Sequence, residues 1–435
     1  MAAQSAADSV ARGTLINLVT RTLSVVGVLG ITTITARLGT SVQGVFALFT
    51  SVEGVLLALL SGFGIALARR VSHHGGDTRA LVSAMAMACI ALGGLAALAL
   101  WGVARLGPPA YASLWILALG APLLLLAPNL AGLWLGAGRM APMATLTLAP
   151  PWLALALLGV LWLLQTTGLE PVLGAWVAAK VLVGLGLLWA LWRSARLARP
   201  GWKALRAEVP FIATIGLTNL VGLLNYRVGL FVIERTLGLS ATGVYSIAVV
   251  VAELLWFVSS SLTQAVYGRI GTPDRAEAAA TTVRALQLGI AALVLAAPLL
   301  WLGAVLLVPR VLGPAYAASL QPLALLLPGV LVFGGASVLS AYFTNHAGRP
   351  QVPARVAALS LAANGGLSMV LVPALGMAGA ALAATLSYTL SVAVLVALFV
   401  RHAGLPLAAV LLPGPQLWRD LRALRAVASR AGRGR

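Results

Sequence analysis

Charge is scarce in this sequence: 9% of its 435 residues are Asp, Glu, Lys or Arg, and only 10 residues are acidic. Soluble globular chains carry about 25% charged residues. A soluble fold of this length could not hide a composition that is 60% apolar with a mean hydropathy of +1.00. Cysteine is nearly absent. Cys89, the single one, sits inside an apolar run, which excludes an intramolecular disulfide and a cysteine-based metal cluster. Histidine is equally sparse: His73 and His74 are adjacent between apolar runs, His346 and His402 lie near the ends of others, and none stands at a carboxylate spacing that makes a zinc or phosphatase motif. A glycine-rich loop carrying a phosphate-binding lysine is missing as well, so neither catalysis nor nucleotide-driven work is expected, and no metal or cofactor. Alternation in blocks of about ten residues, the mark of a transmembrane barrel, does not occur.

Long apolar runs are what the sequence does have. A helix needs about 20 such residues to cross roughly 30 Å of hydrocarbon, and helices or closed barrels alone satisfy their backbone in lipid. The expected fold class is an all-α polytopic membrane protein. Its twelve transmembrane helices are predicted at 14–36, 42–67, 80–103, 112–135, 144–165, 172–192, 210–233, 241–267, 283–307, 316–342, 354–371 and 377–399. The first run continues at spanning length past Arg21 without a cleavage region, so no signal peptide is expected.

The net charge of +19 would suggest nucleic acid in a soluble chain, but the basic residues fall in short gaps between apolar runs. No basic stripe with interleaved aromatics appears, so no nucleic acid partner is expected. With both termini on one side, Arg69, Arg70, Arg79, Arg139, the group from Arg193 to Arg206, Arg269, Arg275, Arg284, Arg349, Arg355 and the C-terminal arginines share that side. Arg37, Arg105, Arg235 and Arg310 lie opposite. The positive-inside rule then places both termini in the cytoplasm.

An internal repeat recurs at an offset of roughly 200 residues. RLGTSVQGVFAL at 37–48 answers TLGLSATGVYSI at 236–247, LGPPAYASL at 106–114 answers LGPAYAASL at 312–320, and INLV at 16–19 answers TNLV at 218–221. Six spans per copy is an even number, so the copies share a topology and are expected to be two parallel-repeat six-helix lobes with a cavity between them. The predicted layout is an N-terminal lobe at 1–192, a basic cytoplasmic linker at 193–209, a C-terminal lobe at 210–400 and a basic cytoplasmic tail at 401–435. An interfacial helix is expected within 417–430. The linker, with Trp202 and Leu205 among its basic residues, is read as a short amphipathic segment on membrane lipids.

Away from the span ends, five charges fall inside the predicted spans: Arg21, Glu53, Lys180, Arg227 and Glu253. An exposed charge there costs at least about 2.5 kcal/mol, so each should face protein or water. Glu53 and Glu253 occupy nearly equivalent depths in spans two and eight. One reading has Arg21, Arg227 and Lys180 offering positive charge to an anionic group on a substrate; the other has them pairing with the glutamates and holding helices together. Tyr226, Asn17, Asn219 and Asn225 add hydrogen-bonding capacity to the same region, or serve as interhelical glue. Gly62, Gly64, Pro122, Pro128, Pro328, Gly329 and GMAGAALA at 376–383 are read as sites of kinks and close helix approach.

The chain resembles the polysaccharide exporters and lipid-linked oligosaccharide flippases of the multidrug/oligosaccharidyl-lipid/polysaccharide transporter superfamily. The resemblance is carried by ITTITARLGTSVQGVFAL, by RVGLFVIERTLGLSATGVYSIAVVVAELLW and by YFTNHAGRPQVPARVAALSLAANGGLSMVLVPALGMAGAALAATLSYTLS, and covers about 12–400. It implies two six-helix bundles that flip an undecaprenyl-diphosphate-linked oligosaccharide or polysaccharide precursor by alternating access. Arg21 and Arg227 would hold the diphosphate, Glu53 and Glu253 would sense H+ or Na+, and glycosyltransferases or a polysaccharide polymerase would be partners. The chain departs from the family at Gly229, where many relatives carry an acidic residue. It also lacks the two further C-terminal spans usual in relatives that flip the peptidoglycan precursor, which ranks that substrate lower. The alternative is a proton- or sodium-coupled multidrug exporter of the same superfamily, kept open by the two glutamates. A membrane scaffold without a transported substrate is a third, less favoured class.

Overall fold

The computed structural model describes residues 2–74, 77–412 and 419, with side chains described for most of them from Ile16 onward. The expected interfacial helix at 417–430 lies outside the described residues, Arg419 apart. Among the described residues the secondary structure is entirely helical. The chain divides into two compact units, Met1–Leu224 and Asn225–Arg435.

Unit 1 is built from α1 (Ala2–Leu38), α2 (Thr40–Leu60), α3 (Gly62–His74), α4 (Arg79–Leu106), α5 (Leu114–Leu124), α6 (Leu126–Leu130), α7 (Gly132–Gly136), α8 (Met140–Leu163), α9 (Leu169–Arg193) and the start of α10 (Trp202–Glu253). Unit 2 takes the rest of α10, then α11 (Trp256–Ile270), α12 (Arg275–Val311), α13 (Leu320–Ala341), α14 (Gln351–Leu375), α15 (Met377–Ala403) and α16 (Leu407–Leu411). The protein is thus an all-α polytopic membrane protein in two helical lobes. Among the described residues, 11 helical segments are long and apolar enough to span a bilayer. The difference from twelve has a local cause. α10 has 52 residues, more than twice what one crossing needs, and it breaks at Gly238, with φ +81. Beyond Gly238 the helix runs on to Glu253 and is followed by the short α11.

The repeat seen in the sequence recurs in the backbone. Gly39, with φ +132, separates α1 from α2 just as Gly238 splits α10; both lie where L side chains are rarely found, so the matching RLG and TLG motifs turn on the residue without a Cβ. Thr35 also donates to the side chain of Gln43 across the first break. The two PAY motifs form 3-10 turns, Pro109–Tyr111 and Pro314–Ser319, each with proline where its missing N–H is not needed.

Packing follows from small residues and prolines. Pro128 can neither donate to the carbonyl of Leu124 nor fit beneath it, and α5 stops at Leu124. A Cβ on Gly132 of α7 would lie 2.0 Å from the carbonyl oxygen of Gly64 on α3, so these backbones touch. Pro328, by contrast, leaves α13 unbroken. Apolar side chains fill the interior of each unit: Phe46, Phe49, Leu117 and Leu125 in one cluster of unit 1, Leu67, Met85 and Leu130 in another, and Leu339, Tyr342 and Phe399 in unit 2. Leu98, Trp162, Leu299 and Met369 are largely exposed, an arrangement that water would penalise and hydrocarbon does not.

Candidate functional site

In unit 1 the charges within the spans converge on Glu53. Its side chain on α2 is buried, and Trp176 and Lys180, four residues apart on α9, present one face to it. Lys180 donates to Oε1 of Glu53, while Nε1 of Trp176 donates to Oε2 at 2.7 Å. The Lys180 ammonium also lies 3.8 Å from the centroid of the Trp176 ring, a cation–π contact, and Phe46 meets that ring edge-on at 5.6 Å. Both carboxylate oxygens and the ammonium are therefore engaged, which is how an ion pair tolerates removal from water. Beside the pair is a cavity of about 300 Å³, walled by Glu53, Lys180, Pro128, Met143, Thr147 and Pro150.

Arg21 is half-buried on α1 and makes no ion pair among the described residues. The helix around it is docked on α8, where Ser24 donates to the carbonyl of Thr147 at 3.2 Å and Trp152 donates to that of Leu23 at 3.2 Å. Asn219 is exposed and donates to Ser61 at 2.8 Å. The side chain of Asn17 lies outside the described residues.

Unit 2 gathers a different set. Arg227 and Glu253 both belong to α10, on either side of the Gly238 break, and approach to 3.1 Å between Nη1 and Oε1. That contact is an ion pair without hydrogen-bond geometry; the hydrogen bond between the two side chains runs from Nη2 to Oε2 at 3.3 Å. Oε1 of Glu253 and Nε1 of Trp256 are nevertheless buried without a hydrogen-bond partner among the described residues. Around them stands an aromatic cluster: Tyr226 packs on Trp256 at 4.4 Å between centroids, Phe333 on Tyr388 at 4.7 Å, and Tyr226 meets Phe333 edge-on at 5.9 Å. A cavity of about 20 Å³, room for one water-sized occupant, is enclosed by Tyr226, Tyr245, Glu253, Trp256, Asn364 and Tyr388.

Asn225 is buried next to this cluster and donates to Ser360 at 3.0 Å. Asn364 donates to the Asn225 carbonyl at 2.7 Å and accepts from Ser368 at 3.3 Å. Ser360 donates to the carbonyl of Ser387 at 3.3 Å. This network ties α10, α14 and α15 together. Sequence reasoning missed its α14 side, although Ser360, Asn364 and Ser368 recur every four residues in an otherwise apolar helix, a polar stripe at helical spacing. It also missed Trp176, Trp256, Phe333 and Tyr388. Aromatics in a membrane span carry no signal until their neighbours are known.

The structure brings together Glu53 with Lys180, Arg227 with Glu253 and Tyr226, and Asn225 with the α14 stripe. It leaves Arg21 and Asn219 outside these groups.

Neither a family model nor a curated protein sequence matches the chain. Solved structures do. The chain superposes on the inward-facing conformation of a multidrug resistance MATE family transporter of the MOP superfamily with a TM-score of 0.75 and 13% identity, covering 90% of this chain and 98% of that one. It is similar to the lipid II flippase MurJ in an inward closed conformation, with a TM-score of 0.70, 14% identity and coverage of 92% and 89%. A third likeness is to a MOP superfamily transporter from Pyrococcus furiosus Vc1, in which reverse polarity of the binding pocket suggests a different function. Here the TM-score is 0.65, with 14% identity and coverage of 92% and 96%. The fold is therefore that of the MOP-superfamily membrane transporters. It is shared by multidrug and lipid-flipping members alike, and does not distinguish between them.

Proposed function

We propose that this chain exports small, cationic, partly apolar molecules by alternating access, coupled to a proton or sodium gradient across a bacterial inner membrane, with both termini cytoplasmic. The observation that carries this reading is the state of the charges within the spans. Lys180 is held by Glu53 and Arg227 by Glu253, so neither cation stands free for a diphosphate. The group left under-engaged is instead a carboxylate oxygen, Oε1 of Glu253, among the rings of Tyr226, Trp256 and Tyr388. Acidic and aromatic walls attract a cation through charge and ring quadrupole; at about 20 Å³ the pocket admits a coupling ion in this conformation, and an organic cation reaches Glu253 only once it opens. Multidrug MATE transporters are among the proteins that share the fold.

In this mechanism Arg227 acts as an internal counterion. A coupling cation that neutralises Glu253 releases Arg227, and the altered charge favours reopening to the other side. A substrate cation and a coupling cation compete for one carboxylate, so binding of one lowers affinity for the other, as linkage requires. The cavity beside Glu53 and Lys180 is within the range of small-molecule sites and supplies apolar surface in unit 1.

A second reading, flipping of an undecaprenyl-diphosphate-linked oligosaccharide or polysaccharide precursor, rests on Arg21, which has no ion pair among the described residues, and on the likeness to the lipid II flippase. Glycosyltransferases or a polysaccharide polymerase would be its partners. The two readings separate in reconstituted vesicles. Uphill movement of a fluorescent organic cation under an imposed proton or sodium gradient, lost in Glu253→Gln, supports the exporter. Movement of a fluorescent undecaprenyl-diphosphate oligosaccharide, lost in a correctly inserted Arg21→Gln/Arg227→Gln variant and without cation efflux, replaces it with the flippase.

A further inference from the structure

Two helices of unit 1 end in the same turn and each delivers an arginine. α7 stops at Gly136, Gly138 has φ +65, and the backbone N–H of Arg139 donates to the carbonyl of Trp134 at 2.9 Å. α9 stops at Arg193, Ala195 has φ +50, and the N–H of Arg196 donates to the carbonyl of Leu191 at 2.9 Å. In both, the bond closes over a left-handed residue, the arrangement of a Schellman cap. Glycine is usual at that residue, and alanine holds the conformation only where its surroundings impose it. They do so here: just beyond Arg196 the backbone N–H of Ala198 donates to Ser83 at 2.9 Å and that of Gly201 to the carbonyl of Ala80 at 2.9 Å.

The two arginines line one cavity of about 470 Å³ together with Trp134, Leu133, Ser72 and Thr78. Among the described residues no carboxylate lines it and neither arginine makes an ion pair. The acidic groups of this end of unit 1 are already committed. Asp77 is held by Arg79 at 2.7 Å, which lowers its pKa to about 2 and keeps it ionised, and Glu208 is held by Arg69 at 2.6 Å. A space this size, with two exposed guanidinium groups carried on capped helix ends, two hydroxyl-bearing residues and an apolar floor, is a site for an anion that also carries uncharged mass. It shares no residue with the cavity beside Glu53.

We propose that this cavity binds a net-anionic phosphate ester. Arg139 and Arg196 hold the phosphate oxygens, Thr78 supplies a further donor, and Trp134 and Leu133 cover the esterified group. The same chemistry is offered by the head group of an anionic phospholipid and by a soluble phosphate, and the position on the arginine-rich ends of the helices admits both.

The test uses the full-length protein in detergent, with phosphatidylglycerol or phosphatidylcholine added and retained lipid counted by native mass spectrometry. Wild type should retain phosphatidylglycerol at least about tenfold better than phosphatidylcholine, the scale expected when two guanidinium contacts are made. Arg139→Gln/Arg196→Gln should lose that preference with an unchanged gel-filtration profile, while Arg199→Gln/Arg206→Gln, with the same charge change outside the cavity, keeps it. Arg139→Lys/Arg196→Lys should retain part of it, and provides the comparison if the glutamine variant does not fold. Displacement of the lipid by millimolar inorganic phosphate assigns the site to a soluble ester; lack of displacement assigns it to the lipid. Equal retention by wild type and the cavity variant, equal loss in both glutamine variants, or no binding of either lipid or phosphate by wild type overturns the proposal.

Discussion

Glu53 in unit 1 and Glu253 in unit 2 follow matching glycine breaks at nearly the same distance along the chain, yet their surroundings differ. Glu53 is buried, accepts from Lys180 and Trp176, and has both oxygens engaged by α9. Glu253 is partly accessible, reaches only Arg227 of its own helix, and keeps one oxygen without a hydrogen bond amid aromatic rings. A carboxylate clamped by a second helix fixes that helix. One that answers to a single arginine across a break in its own helix can be released at lower cost. A repeated position in a duplicated fold thus supports a brace in one copy and, on the proposed reading, a responsive group in the other.

The sharpest way to break this contrast is to remove each cation. Lys180→Met should lower stability by about 3–5 kcal/mol, because it leaves a buried charge uncompensated, and adding Glu53→Gln should restore much of it. Arg227→Met should cost less than half as much, since Glu253 is partly accessible. Thermal unfolding in detergent reads all three, and equal losses for the two cations would erase the distinction. The carboxylates themselves come next. Glu253→Gln should reduce gradient-driven efflux at least tenfold, about 1.4 kcal/mol of lost coupling, with little change in unfolding temperature. Glu53→Gln should do the reverse, and vesicle transport measured beside unfolding tests both.

Two glycines extend the comparison to packing. Gly132→Ala in unit 1 forces a Cβ toward the Gly64 carbonyl and should cost about 1–3 kcal/mol. Gly366→Ala in unit 2 meets open space on α14 and should be neutral or stabilising by up to about 1 kcal/mol. The smallest effect is expected at the end of α9, where Ala195→Gly relieves a left-handed alanine and should raise stability by about 1 kcal/mol or less. A destabilised Ala195→Gly would show that the turn is set by something other than backbone preference.

Much of the architecture was legible beforehand because it rests on local rules. Apolar run length dictates a spanning helix wherever water is absent, and the RLGT and TLGL motifs identified the repeat, though that Gly39 and Gly238 break the helices came only from the backbone. The break inside the predicted eighth span was harder to read: the helix stops at Glu253 and resumes at Trp256, and no proline or glycine marks the place. The site was legible only as an inventory. Arg21, Glu53, Lys180, Arg227 and Glu253 stood out because charge in a membrane span is costly, but nothing in their order along the chain said which would meet. Glu53 takes Lys180, 127 residues away, and leaves Arg21 aside.

The sequence by itself determined that this chain spans a membrane many times, in two related halves, with a glutamate at a matching place in each repeat, since hydropathy, repeat and charge act through local composition. Tertiary structure alone decided the pairing of those glutamates, the aromatic enclosure of Glu253, and the meeting of Arg139 with Arg196 at one cavity. The reason is physical: partner choice depends on which helix faces are brought within a few ångströms, and that is fixed by side-chain packing between elements far apart in the chain.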